Sequence, residues 1–332
     1  MIGAMGTLVL TREEVADLLD TAEVVGAVEH AFARHGSGST RMPPKVYLPL
    51  PEHAGDFRAM PVYFPAYNGS AASAGVKWIN AHPENPARHG LPSVLGIFIL
   101  SDPETARPLA IMDATELTAA RTGAAAAVAT KHLAAPDADT LTLVGCGAQA
   151  PSVLAAHASV MTLKEVRLVD RDEAAADRLA AVHPDLPCRR TALAEGLTAD
   201  VICTMTPSRG GFIEMAMLSG ATHINAMGAD APGKQELSVD IVCNARVFLD
   251  DMTQASESGE VNVALSSGRL SIDDLAGTLG EVVAGKITGR GDAATTVFDS
   301  TGLAVQDLAV ARRIYKKARS AGAGIEVDLV GV

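Results

Sequence analysis

The chain has 332 residues, 48% hydrophobic and 20% charged, with a formal charge of −12 at pH 7. That length allows two domains with their own cores, and the acidic balance, with no basic face, argues against a nucleic-acid partner. The four cysteines, Cys146, Cys188, Cys203 and Cys243, show no Cys-x-x-Cys spacing and read as reduced thiols of a cytoplasmic protein, neither disulfides nor zinc ligands. No signal-peptide pattern opens the sequence and no apolar run reaches the roughly eighteen residues of a membrane span, so no membrane partner is expected.

Taken in order, residues 7–10 read as a short strand, and Thr11 with Glu14 forms a capping box for the helix that follows. A second helix carries Val24, Val25, Val28 and Phe32 and stops at Gly36, which suits a left-handed C-cap. Prolines at 43, 44, 49, 51, 61 and 65 make 41–65 a run of extended segments and turns, expected at sheet edges. Residues 75–81 are a strand pattern with Val76, Trp78 and Ile79 around one cation, Lys77. A lysine there is either a surface residue with a snorkelling stem or a buried group with a partner. Apolar strands follow at 94–100 and 108–112, and Asp113 with Glu116 caps a helix from 114 to about 133. That helix contains Arg121-Thr122-Gly123 and four alanines, a composition for close packing against another backbone. A buried arginine on it needs an anion, either a ligand or a neighbouring carboxylate.

Pro136 marks the entry to a nucleotide-binding pattern. An apolar run from Leu141 ends in Val144-Gly145-Cys146-Gly147-Ala148-Gln149-Ala150 and an alanine-rich helix follows. Strand, Gly-x-Gly-x-x-Ala and helix in that order form a dinucleotide fingerprint. Gly145 allows the tight turn, Gly147 the close approach of a pyrophosphate, and Ala150 the packing of helix on strand, while the helix N-terminus offers amides to phosphate. Val166-Arg167-Leu168-Val169 ends in Asp170, the expected partner of a ribose hydroxyl. Its carboxylate favours NAD; Arg171 beside it leaves NADP open, since a guanidinium can bind a 2′-phosphate. Further apolar strands end in small or acidic residues: Thr204-Met205-Thr206-Pro207-Ser208, Met227-Gly228-Ala229-Asp230, Asp250-Asp251 and Asp299-Ser300-Thr301-Gly302. These describe an open α/β sheet with its site at the carboxyl edge. The final amphipathic helix, 303–320, is expected to return to the first domain.

Six motifs, in this order, resemble the ornithine cyclodeaminase and μ-crystallin family, most closely its archaeal-type alanine dehydrogenase branch. They are Arg41-Met42-Pro43-Pro44-Lys45-Val46-Tyr47, Gly75-Val76-Lys77-Trp78-Ile79-Asn80, Asp113-Ala114-Thr115 with Arg121-Thr122-Gly123, the Gly145 loop, the run from Gly228 to Leu237, and Phe298-Asp299-Ser300-Thr301-Gly302-Leu303-Ala304. The resemblance implies an α/β chain with a Rossmann-type domain at 126–303 and a discontinuous α+β domain at 1–125 and 304–332 for substrate binding and homodimerisation. It further implies that Arg41, Lys77 and Arg121 hold a substrate carboxylate, that Lys77 and Asp230 are catalytic, and that Asp230 is the acid/base. The cofactor would be lined by Thr122, Gly145, Gly147, Ala148, Gln149, Asp170, Arg171, Thr206, Pro207, Met227, Gly228, Ser300 and Gly302.

The chemistry fits those roles. Oxidising an amino acid by hydride transfer gives an imine, which water attacks with the help of a carboxylate, and cations on the substrate carboxylate orient Cα. The expected activity is NAD-dependent oxidation of a small L-amino acid, alanine to pyruvate and ammonia. Ornithine cyclodeamination, ketimine or imine reduction, and cofactor-dependent binding without turnover are the alternatives. A cyclodeaminase must hold a second amine; Arg58, in Arg58-Ala59-Met60-Pro61, places a cation where an acid would be expected, although Asp56, Glu52 and His53 are near in sequence. His82 and His89 read as pocket-closing loop residues, and Asp250, Asp251 and Glu260 as solvated loop ends, with no metal site expected.

Overall fold

The computed structural model describes residues 6–331. The chain divides into two compact units, Met1–Arg121 with Leu303–Val332, and Thr122–Gly302.

The first unit starts with β1 (Thr7–Leu10), α1 (Arg12–Leu18) and α2 (Thr21–Gly36). The Thr11–Glu14 capping box is present at α1. Gly36 is itself helical; the left-handed glycine is Gly38, at φ 77°, two residues beyond the expected cap. Strands β2 (Val46–Leu50), β3 (Gly55–Phe64) and β4 (Ser73–Ala81) follow. A short helix α3 (Asn85–His89) precedes β5 (Gly96–Ser101), β6 (Pro108–Asp113) and α4 (Thr115–Leu133). The C-terminal residues add a long helix, Ala304–Ala321, and a strand, Ile325–Val327. The sheet order is C-terminal strand, β1, β6, β5, β4, β3, β2. Only β2 of the proline-rich run is an edge; β3 is internal, with Pro61 opposite Val76.

Alternation places every second residue of β4 on one face. Lys77 and Ile79 are buried while Trp78 is 40% exposed. Lys77 lies between Met60 of β3 and Phe98 of β5, both buried, on the face covered by the C-terminal helix. The opposite face carries the cross-strand row Val46, Ala59, Trp78 and Ile97, with Phe57 stacked on Trp78 at 5.1 Å. Val46, Trp78 and Ile97 are exposed there.

The second unit is built on β7 (Thr140–Val144), α5 (Ala150–Val160), β8 (Glu165–Val169), α6 (Glu173–Val182), β9 (Cys188–Arg190), β10 (Val201–Thr204), β11 (Arg209–Ile213), β12 (Thr222–Ala226), β13 (Gln235–Leu237), β14 (Arg246–Leu249), β15 (Gly277–Thr278) and β16 (Thr295–Asp299). Eight strands form a parallel sheet in the order β15, β14, β16, β12, β10, β7, β8, β9; β11 pairs with β13 separately. The chain leaves β7 towards β8 and β9, then returns on the other side with β10. That reversal is the switch point at which an open α/β sheet forms its ligand crevice. It is a Rossmann-type arrangement. The alanine run of α4 has the expected consequence: a Cβ on Gly123 would stand 2.3 Å from the backbone oxygen of Ser152 in α5.

Candidate active site

The carboxyl ends of β7 and β10 meet at the switch point. Gly145 has φ 98°, which favours glycine, and a Cβ there would be 2.9 Å from the Met205 carbonyl oxygen. Its amide donates to Val169 O at 2.8 Å, and Met205 N donates to Val144 O at 2.9 Å. Gly147 and Ala148 are exposed, and a Cβ on Gly147 would meet nothing within 4 Å. Gln149 precedes α5 without a side-chain cap, and its buried Oε1 has no hydrogen-bond partner. An open glycine and an uncapped helix start fit a phosphate-bearing cofactor.

Asp170 follows β8. Its Oδ2 accepts from Cys146 N at 2.7 Å and its Oδ1 from Asp172 N at 2.8 Å, so it also holds the glycine loop. Arg171 beside it is exposed. On the other side of β7, the buried Glu236 gathers the next two strand ends. It accepts from Thr204 Oγ1 at 2.6 Å, Thr206 N and Oγ1 at 2.7 Å, and Gly228 N at 3.0 Å. Burial raises the Glu236 pKa. Met227 N donates to Thr204 O, and Ser300 N donates to Ala226 O. Pro207 is exposed at the end of the same β10 turn.

Buried carboxylates hold the neighbouring loops. Asp250 accepts from Thr301 N at 2.7 Å and Gly302 N at 2.6 Å, while Glu260 accepts from Glu236 N at 2.8 Å and Leu237 N at 2.5 Å. Asp250 and Glu260 are fully buried, contrary to the expectation of solvated loop ends. A sequence shows their charge but not that backbone amides solvate them. Burial lifts Glu260 to about 8 and Asp299 to about 7. Asp251 is the N-cap of the following short helix, accepting from Gln254 N at 3.0 Å. Among the described residues no group of three His, Cys, Asp or Glu side chains is placed to hold a metal. Asp230 lies in the loop after β12, its side chain 31% exposed, with Lys234 Nζ 2.5 Å from Oδ1.

In the first unit Lys77 and Arg121 come together around Asp307 of the C-terminal helix. Lys77 Nζ is 2.8 Å from both Asp307 oxygens and donates to Thr118 Oγ1 at 3.3 Å. Arg121 Nε is 3.1 Å from Asp307 Oδ1, and its Nη1 donates to Gln306 Oε1 at 3.0 Å. Lys77 is 1% exposed, Arg121 8% and Asp307 0%. Burial drives the Lys77 pKa from 10.5 down to about 7, against the pull of Asp307. The snorkelling alternative for Lys77 is therefore wrong: strand alternation turns it towards the covered face. Arg41 is not part of the cluster; it is exposed, bridges to Tyr63 through its backbone, and lies 5.6 Å from the Tyr63 ring. Thr122 follows Arg121 in α4 and opens the second unit.

Asp307 and Gln306 were not singled out in the sequence. An acid at the fourth position of an amphipathic helix reads as first-turn charge; only the sheet face above it reveals the cations. Two further expectations change. Asp56 accepts from Arg58 Nε and Nη2 at 2.9 Å each, so the Arg58 cation is neutralised and carries little weight against a second substrate amine. His89 ends helix α3 and is not in a loop; His82 lies just beyond β4 against Phe57, its ring 5.6 Å away.

A sequence profile of the ornithine cyclodeaminase/mu-crystallin family matches residues 5–322. Alanine dehydrogenase of Archaeoglobus fulgidus is 44% identical over 326 residues, 97% of this chain and 98% of that protein. Iminosuccinate reductase of Paracoccus denitrificans is 35% identical, covering 97% of this chain and 100% of that protein. The solved structure of an archaeal alanine dehydrogenase dimer with bound NAD superposes with a TM-score of 0.92 at 43% identity, covering 98% of this chain and 100% of that one. The chain belongs to the ornithine cyclodeaminase/mu-crystallin family.

Proposed function

We propose that this protein is an NAD-dependent oxidoreductase of the alanine dehydrogenase type, converting L-alanine, NAD and water to pyruvate, ammonia and NADH. The supporting observation is the buried Lys77–Arg121 pair sharing one carboxylate, Asp307. Two cations against one anion leave a positive balance in a water-poor place, which a substrate carboxylate would complete. The 44% identity to an alanine dehydrogenase supports the small-substrate reading.

Gly145, Gly147, Ala148, Gln149 and the start of α5 would hold the pyrophosphate, Asp170 the adenosine ribose, and Thr122, Thr206, Pro207, Met227, Gly228, Ser300 and Gly302 the remainder of the cofactor. A nicotinamide cofactor held there would supply the hydride acceptor for the substrate Cα. Lys77 and Arg121 orient that carbon by gripping the adjacent carboxylate. Asp230 takes the proton of the water that attacks the imine carbon, and returns a proton to the departing ammonia. Arg41, which is exposed, is assigned to the same carboxylate on family likeness.

The residues 1–125 and 304–332 serve as the substrate and dimerisation domain, and 126–303 as the NAD domain, of a cytoplasmic homodimer. The exposed apolar row Val46, Trp78 and Ile97 suits a subunit interface. Iminosuccinate reductase among the relatives favours imine reduction as the second reading. The test is NADH oxidation with pyruvate and ammonium: consumption that requires both supports the dehydrogenase, and none with either direction of the reaction refutes it.

A further inference from the structure

Asp307 ties together three elements of the first unit: the C-terminal helix, β4 through Lys77, and α4 through Arg121. Its neighbour Gln306 extends the cluster, its Oε1 accepting from Arg121 Nη1 at 3.0 Å and from Leu303 N at 3.3 Å. Favourable placement of an acid in the first turn of a helix needs neither burial nor two cations. Here the carboxylate is completely buried. Replacing such an ion cluster by apolar packing is often neutral or stabilising, so its presence is weak evidence of a stabilising role.

Donor counting gives the cluster another meaning. Arginine has five N–H donors and lysine three. Arg121 Nε lies 3.1 Å from Asp307 Oδ1 as an ion-pair contact without hydrogen-bond geometry, and Nη1 donates to Gln306 Oε1, which leaves Nη2 for a further acceptor. Lys77 is directed at Asp307 and Thr118. The other charged groups acting on Lys77 are Arg121 and Lys45, and both disfavour its cationic form. Its strand neighbours Met60 and Phe98 are apolar and supply no countercharge.

We propose that Asp307 is a positioning residue, which fixes Lys77 and Arg121 so that both cations face the carboxylate of the amino- or imino-acid substrate. It rests on the reading of Lys77 and Arg121 given above and adds to it the group that orients them. Asp307 raises the Lys77 pKa against the larger effect of burial, and its carboxylate lies 3.1 Å from Arg121 Nε as the countercharge of the guanidinium.

The experiment titrates pyruvate, with ammonium omitted, onto the NADH-loaded protein and follows NADH fluorescence across pH in wild type, Asp307→Asn and Asp307→Glu. Wild type should bind pyruvate and lose affinity as pH rises through about 7, where Lys77 gives up its proton. Asp307→Asn should weaken pyruvate about tenfold or more, the loss of a charge-assisted contact, and move the pH break towards acid. Its NADH affinity should stay within about twofold, and Asp307→Glu should recover most of the pyruvate affinity. An unchanged pH break and pyruvate affinity in Asp307→Asn would overturn the proposal. So would equal loss of NADH binding and of cooperative unfolding in both variants, which would make Asp307 a support of the fold alone. Wild type that binds NADH but pyruvate at no pH would refute the carboxylate-site reading itself, and is recognised before either variant is compared.

Discussion

Lys77 Nζ lies 2.8 Å from Asp307 Oδ1, a contact between residues 230 positions apart with almost no exposure on either side. A strand near the start of the chain thus supplies the cation, and a helix near its end the anion. Lys77→Met should lower turnover by about a hundredfold, since the substrate carboxylate would lose one of the two cations that orient it. Steady-state kinetics with NADH binding as a control would check this.

The same lysine sets a pH dependence of stability. Its folded pKa, about 7, lies below the ordinary 10.5, so between these values the unfolded chain holds a proton that the folded chain has released. Stability should therefore rise with pH across that window, and the burial penalty is present in full below it. Urea midpoints of wild type should show this slope, and Lys77→Met should flatten it.

The acid limb has a different origin. His157 and His223 are fully buried, with pKa values driven down to about 4 and about 3 by burial. They are tied by hydrogen bonds to Thr130, Asn225 and Thr296. Both stay neutral in the folded protein while the unfolded chain takes up protons below 6.5. Stability should fall as pH drops from 6.5 towards 3. His223→Asn should reduce the slope even where it lowers stability at neutral pH; an equal slope in variant and wild type would remove His223 from the explanation.

Gly123→Ala tests the close approach of α4 and α5. Its Cβ would fall 2.3 Å from a backbone oxygen that cannot rotate away. A loss of roughly 1–3 kcal/mol is expected from overpacking, measurable as a lower urea midpoint. An unchanged midpoint would mean that the two helices can separate without cost.

Asp170 has two duties, ribose recognition by proposal and support of the glycine loop by its bond to Cys146 N. Asp170→Ala should weaken NAD by about tenfold and shift preference towards NADP, because both a hydrogen bond and a negative charge are lost. Fluorescence titration with NADH and NADPH would check both, and equal use of the two cofactors by wild type would refute the ribose assignment.

Much of this was legible in the sequence because short-range chemistry dictated it. The Gly145 turn, the Thr11–Glu14 cap and the strand preceding Asp170 each follow from residues within a few positions of one another. What escaped was long-range. The pairing of Lys77 with Asp307 depends on which face of β4 the C-terminal helix covers, and the burial of Asp250 and Glu260 on amides supplied by other loops. For Arg58 the acid nearby in sequence, Asp56, is its partner in space, on the same strand two residues away.

Net oxidation of a small amino acid is separated from cyclodeamination by a single assay. Purified protein with NAD is given L-alanine or, separately, L-ornithine, while NADH absorbance is followed and products are analysed for pyruvate and proline. NADH and pyruvate should form in step from alanine, and both should be lost in Asp230→Ala with NADH binding retained. Proline from ornithine without accumulation of NADH, and no response to alanine, would contradict net oxidation.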